Sequence, residues 1–455
     1  MEFYDRKEEL RYLQESFEED DFRFSVIYGR RRVGKTELIK KICEEKPHIY
    51  HLFSQDTEKR QIERLSSNIA DYFNEPQPKL ENWRETVEYI GRKLNEEKII
   101  LALDEFPYAI ESEKTVPSHF QYLVDELLDD SDSMLILSGS TISIMMNQVL
   151  GYESPLYGRR TGQIDLKPFN FQQSIQAIDY SFKEAVKSYT VTGGTPMYLM
   201  SFNYNKKLKE NLTEKVLNPN SMLFEEPEFL LRQELRNPSR YSSILGSIAE
   251  GYNKSNEISN NTGIPSGTIS KYLKKLQKLR LITRETPVTA SKKTKRSNYK
   301  ITDNYISFWY RNIYPQKSAI EEKPDKTAEE ILANLKHQTA ETFEQICRET
   351  VQKDTEYSQV GRWWYKEDEI DVTATKDKKI LLGEVKWTNQ KTGLDLLKKL
   401  ENKSSKVRWK KGERKVEYAL FSKEGFTKNL QQEAENRSDL KTHNLKEIKK
   451  IMKAK

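Results

Sequence analysis

Gly29-Arg30-Arg31-Arg32-Val33-Gly34-Lys35-Thr36 decides the reading of this chain, because it fits G-x-x-x-x-G-K-[ST] at every position. Such a loop wraps backbone N–H groups around a phosphate, and glycines stand where a side chain would block that approach. Lys35 is then expected to face the β/γ-phosphates of ATP, and the Thr36 hydroxyl to ligate Mg²⁺. The flanks agree with this mechanism. Residues 22–28 read as a strand that delivers the loop, and residues 35–45 as a helix with Leu38, Ile39 and Ile42 on one face.

A second stretch supplies carboxylates. Lys98-Ile99-Ile100-Leu101-Ala102-Leu103 runs into Asp104-Glu105, about 70 residues after the loop. On its own, an Asp-Glu pair after a strand is an ordinary turn. Behind a phosphate loop, Asp104 is expected in the Mg²⁺ shell and Glu105 as the group that orients or activates the attacking water. Leu137-Ser138-Gly139-Ser140 closes the next apolar run with two hydroxyls, which suit either γ-phosphate sensing or a plain strand end. The short apolar runs 99–103 and 134–137, alternating with helical patterns, predict strands buried on both faces of a parallel sheet.

Composition narrows the classes further. A length of 455 residues predicts two to four domains. Charged residues make up 32% but nearly cancel, 76 basic against 70 acidic, and aromatics reach 11%, so the chain is expected to fold. No run approaches the about 18 apolar residues of a membrane-spanning helix. The opening MEFYDRKEEL lacks the basic and apolar regions of a signal peptide. Cys43 and Cys347 have no metal-ligand spacing and read as buried helix residues of a reduced, cytoplasmic protein.

Several further motifs join these. Phe3-Tyr4-Asp5-Arg6 precedes a helix, Leu156-Tyr157-Gly158-Arg159 is followed by Leu166-Lys167-Pro168-Phe169, and Gly193-Gly194-Thr195-Pro196 lies beyond. Together with the loop, LALDEF and LSGS, they make the chain resemble the archaeal-type ATPase family. These are AAA+-related, STAND-like P-loop ATPases often followed by a winged helix and a nuclease-like domain. The resemblance covers essentially the whole chain. Its Walker motifs are not family-specific, but their combination with the GR and GGTP elements is. It implies that Arg159 or Arg160 contacts the γ-phosphate, and that Pro196 and its glycines approach the nucleotide base from a helical lid. Read from the residues alone, GGTP is a helix-breaking turn.

Residues 241–300 have a helix-turn-helix rhythm. A short helix starts at 256–260, Thr262-Gly263-Ile264-Pro265 turns, and residues 266–279 form a longer helix on which Ser270, Lys271 and Lys274 would face DNA. The runs 281–286 and 298–301 would pair around Ser291-Lys292-Lys293-Thr294-Lys295-Arg296, a wing whose four basic residues suit phosphates. A winged helix used only for protein contacts fits the same pattern. Residues 398–415 hold nine Lys/Arg against two Glu, as a nucleic-acid surface or a solvated helix face would.

The last motif is a set of carboxylates. Glu369-Ile370-Asp371-Val372 alternates like a strand, and in Leu381-Leu382-Gly383-Glu384-Val385-Lys386 the Glu and Lys, two apart, share a sheet face. Asp371, Glu384 and Lys386 are what metal-assisted phosphodiester hydrolysis needs: carboxylates for Mg²⁺ or Mn²⁺, and an ammonium for the water and the developing charge. This resembles the PD-(D/E)xK nuclease core, and the resemblance implies Glu344, on the preceding helix, as a further metal ligand. Ile370 stands where that core often has proline.

The expected fold is therefore α/β. It comprises a P-loop AAA+-like ATPase core (1–170), a helical lid (171–237), a winged helix-turn-helix (238–313), a linker (314–334) bounded by Pro315 and Pro324, and a restriction-endonuclease-like domain (335–455). The expected function is ATP hydrolysis coupled to DNA binding and metal-dependent DNA cleavage, with no membrane partner and room for a homo-oligomer. The alternative is an ATP-switched regulator whose nuclease-like domain binds without cutting.

Overall fold

The computed structural model describes residues 4–44, 46–291, 294, 296–353 and 356–453. The chain divides into two compact units, Met1–Pro168 and Phe169–Lys455.

The first unit is built on a parallel sheet of β1 (Arg23–Tyr28), β2 (His48–Leu52), β3 (Ile100–Asp104), β4 (Met134–Gly139) and β5 (Gly162–Asp165), ordered β2-β3-β4-β1-β5. Alternation along the strands divides the core between two faces. Val26, Leu101, Leu103 and Leu137 pack with Trp83, Phe106 and Phe120 on one, and Ile27, Ile100 and Ile136 with Leu13, Leu38 and Ile39 on the other. Burial on both faces is why these strands read as unbroken apolar runs. The parallel register aligns Tyr28 with Gly139, so the loop after β1, the end of β4 and the carboxylates after β3 emerge at one edge of the sheet. Functional residues of open α/β sheets gather at that edge.

The second unit opens with helices Phe171–Ser174, Phe182–Thr192 and Pro196–Ser201. Helices Pro238–Ala249, Ser255–Thr262 and Ser266–Lys278 follow, then an antiparallel hairpin of β6 (Ile282–Glu285) and β7 (Asn298–Ile301), the arrangement of a winged helix. Its C-terminal part is a mixed sheet of β8 (Gln359–Tyr365), β9 (Asp368–Lys376), β10 (Lys379–Lys386), β11 (Lys415–Ser422) and β12 (Leu440–Asn444). The first three run antiparallel and the last three parallel.

One expectation is corrected. Residues 314–334 are not a linker: they form helices Lys317–Glu322 and Pro324–Asn334, with Ile320, Ala328 and Ile331 buried. Pro324 starts its helix at a position whose N–H needs no partner, so the proline that suggested a break is a helix start. In the wing, Arg296 lies 5.5 Å from the ring centroid of Tyr365 on β8. Lys292, Lys293 and Lys295 lie outside the described residues.

Candidate functional site

The nucleotide site is built from three strand ends. Lys35 is buried, and its ammonium donates to the carbonyls of Gly29 (3.1 Å) and Arg30 (3.2 Å), drawn across the mouth of its own loop. A Cβ on Gly29 would stand 2.2 Å from the Leu166 carbonyl oxygen, which is why glycine is needed there. The Thr36 hydroxyl donates to Asp104 Oδ2 at 2.7 Å, and Tyr50 donates to the same oxygen at 3.1 Å. Burial, then the Asp104 charge, push the Tyr50 phenol well above its usual range, so it stays a donor. A hydroxyl and a carboxylate side by side at the start of a helix are a donor set suited to Mg²⁺.

Glu105 stands beside this pair with a φ of 52°, in the left-handed region. Its Oε2 accepts from the Ser140 N–H (3.0 Å) and hydroxyl (2.8 Å), while Oε1 has no hydrogen bond among the described residues. Ser140 thus touches the carboxylate of Glu105. Ser138 is fully buried in β4.

The Arg159 guanidinium is bound by Asp125 at 2.6 and 2.8 Å and by the carbonyls of Pro155 and Tyr157. Arg160 is half-buried and forms no ion pair among the described residues. In the second unit, the Gly194 carbonyl accepts from the Phe169 N–H at 2.7 Å, and a Cβ there would overlap the Phe169 carbonyl. Pro196 then opens helix Pro196–Ser201, so GGTP is at least a close-packed turn.

On the winged helix, Ser270, Lys271 and Lys274 are exposed on helix Ser266–Lys278, while Ile269, Leu273 and Leu276 face inward. The basic stripe is therefore open to a partner.

The C-terminal carboxylates meet where β9 and β10 part. Pairing ends at Gly383↔Val372, and beyond it Asp371 Oδ2 accepts from the Val385 N–H at 2.9 Å. Glu384 has a side chain 4% exposed; Lys386 lies 3.8 Å and Lys403 2.6 Å from its oxygens. From helix Lys336–Gln352, Arg348 donates to the Asp371 carbonyl (2.8 Å) and lies 3.7 Å from Glu344. Burial first, then the Asp371 charge, hold Glu344 and Glu384 above the usual carboxylate range. Among the described residues, no three His, Cys, Asp or Glu groups converge as a metal cluster. Asp371 and Glu384 with Lys386 form a two-carboxylate set in which Lys403 already neutralises one member.

Comparison with known proteins gives this geometry its context. Residues 3–202 match a family model described as an ATPase domain predominantly from Archaea. An uncharacterised protein of Methanocaldococcus jannaschii, MJECL04, is 36% identical over 403 residues, 86% of this chain and 88% of the relative. This chain belongs to that archaeal-type ATPase family. An ATP-binding protein of the same organism, MJ0423, is 52% identical over 44 residues, 10% of this chain and 75% of the relative. Among solved structures, the Walker-type ATPase PABY2304 of Pyrococcus abyssi matches with a TM-score of 0.52 at 24% identity, covering 68% of this chain and 96% of that one, a likeness of fold. Residues 239–284 match the arsR family of bacterial regulatory proteins, and residues 309–404 match archaeal and bacterial proteins of unknown function. No helix among the described residues is long and apolar enough to cross a membrane.

Sequence reasoning about this archaeal-type ATPase missed several groups. Arg6 is 5% exposed and donates to the Val33 carbonyl at 3.1 Å and the Lys167 carbonyl at 2.5 Å, bracing the phosphate loop from behind. Its only signal is its place in the Phe3–Arg6 motif. Tyr50 has none. Lys403 belongs to the basic run 398–415, where nothing in the sequence separates it from its solvated neighbours.

Proposed function

We propose that this ATPase binds DNA through its winged helix and cleaves it, with metal help, at the Asp371–Glu384–Lys386 set. ATP state governs the engagement. The observation that carries the DNA half is the exposed Ser270, Lys271 and Lys274 stripe on the second helix of a segment matching a regulatory-protein family. Cleavage is supported by the gathering of Asp371, Glu384 and Lys386 where β9 and β10 part.

At the nucleotide site, Lys35 turns from its loop carbonyls to the β/γ-phosphates, and Thr36 and Asp104 hold Mg²⁺. Glu105, steadied on one oxygen by Ser140, keeps the other for the attacking water. At the second site, Asp371 and Glu384 hold the metal and Lys386 holds the water and the developing charge. Metal bound at either site supplies neutralisation of charge on phosphate oxygens.

A second reading has an observation of its own. The Lys403 ammonium sits 2.6 Å from Glu384, where a cation would otherwise lie, as suits a domain that binds without cutting. Incubating the protein with supercoiled, linear, forked and single-stranded DNA, with and without ATP and Mg²⁺ or Mn²⁺, separates the two. Metal-dependent cutting abolished by Asp371→Ala supports cleavage, and binding of DNA with no cutting under any condition supports the regulator.

A further inference from the structure

Between the base of the wing and the C-terminal sheet lies a cavity of about 260 Å³ lined by Trp363, Tyr365 and Trp409 together with Arg296, Lys406 and Arg408. Among the described residues, no acidic side chain lines it. Asp368 stands outside the lining, 2.8 Å from Lys406. The three rings do not pair with other aromatic side chains among the described residues. The cations at Tyr365 are Arg296 and Lys366, with centroid distances of 5.5 and 5.8 Å, and Lys410 lies 5.4 Å from the Trp409 centroid. The volume falls below the about 300–1,000 Å³ typical of drug-sized ligands, so it suits a single ring system.

Local structure explains how these groups come together. Trp363 and Tyr365, two apart on β8 beyond a register shift between Gly361 and Trp363, share one side of the strand. The Val288 N–H donates to the Arg362 carbonyl at 2.9 Å and ties the wing's base to β8. On helix Leu394–Lys406, Lys406 lines the cavity while Lys403 reaches Glu384 at 2.6 Å. Those two lysines are three residues apart, about 4.5 Å along the helix axis. One helix thus contributes a lysine to the aromatic cavity and another to the carboxylates.

We propose that this cavity stacks one unpaired DNA base between Trp409 and Tyr365, with Arg296 and Arg408 on its flanking phosphates. The inference rests on the DNA-processing reading above and deepens it: the preferred substrate carries single-stranded character, as in a fork, flap or gap. Aromatic faces accept any base, while cations follow the backbone, so the preference is for structure rather than sequence.

The test measures affinity of the full chain for a labelled single strand, a forked duplex and a blunt duplex at one salt concentration. Trp409→Leu/Tyr365→Leu should weaken single-strand and fork binding by about 5- to 150-fold, the range that loss of one stacked base spans. Blunt-duplex affinity should stay within about twofold. The paired phenylalanine replacements keep the rings and should keep single-strand affinity. Tyr365→Leu alone, at a residue 38% exposed, gives a version of the test that leaves the core untouched. Equal losses on all three DNAs, or leucine variants that bind single strands like wild type, overturn the inference. Wild type that binds duplex but not single strands overturns it alone; wild type that binds no DNA overturns the DNA reading with it.

Discussion

Replacing Glu105 by glutamine should separate binding of ATP from its hydrolysis. In the wild-type site Oε2 takes both Ser140 donors, at 3.0 and 2.8 Å, and Oε1 is left for water. A glutamine that keeps its carbonyl oxygen on Ser140 must put its NH₂ where Oε1 stood, so a donor replaces the base. A positioned general base contributes about 10²- to 10⁴-fold, and turnover should fall by that amount, about 3–5.5 kcal/mol. Lys35, Thr36 and Asp104 are untouched, so ATP affinity should stay within about threefold. Isothermal calorimetry gives the affinity and phosphate release the rate. Ser140→Ala serves as the control. It removes the hydroxyl donor but keeps the N–H, and a hydrogen bond to a charged group is worth about 1.5–3 kcal/mol. Glu105 then loses part of its support, and turnover should drop by about tenfold. Glu105→Gln with more than a tenth of wild-type turnover would refute the assignment of the base.

Alanine at Lys292, Lys293 and Lys295 should weaken binding to all DNA sequences and lower the slope of log K against log salt by about 0.9 for each phosphate no longer neutralised. An unchanged slope moves the wing to protein contacts. Asp371→Ala and Glu384→Ala should each abolish metal-dependent cutting while ATP hydrolysis without DNA continues; cutting that persists in Asp371→Ala assigns the activity elsewhere. His51 is 2% exposed, and burial followed by the Arg64 charge lowers its imidazole to about 4. The unfolded chain therefore takes up the proton first. His51 burial costs nothing above about pH 6.5, and stability falls as pH drops from there to about 4, by up to about 3 kcal/mol. His51→Phe should flatten that limb of an acid-denaturation curve, and an unchanged curve shows that other groups set it.

The ATPase core is legible because its signals are local. The loop, the apolar strands and Asp104-Glu105 each lie within a few residues, and burial on both faces leaves the strands as continuous apolar runs. Asp371, Glu384 and Lys386 are legible through period-two alternation. What cannot be read is what depends on distant partners. Lys403 meets Glu384 only because one helix lies across β9 and β10. Arg159 finds Asp125, 34 residues away. The wing reads as uniformly basic, yet Arg296 turns to Tyr365, a pairing with no sequence pattern. Pro324 misleads because one residue type both breaks helices and begins them.

The bond from the Val288 N–H to the Arg362 carbonyl bears on how this protein can be dissected. A fragment cut after the winged helix keeps the donor and loses its acceptor, along with the Tyr365 ring under Arg296. A fragment beginning at the C-terminal sheet exposes the Arg362 carbonyl and the flank of Trp363. Neither piece is a self-contained module, so a weak result from an isolated piece reports damage at the cut as much as the role of what was removed. Point substitutions in the intact chain are the sounder tool, and chimaeras should exchange the second compact unit, Phe169–Lys455, as one block.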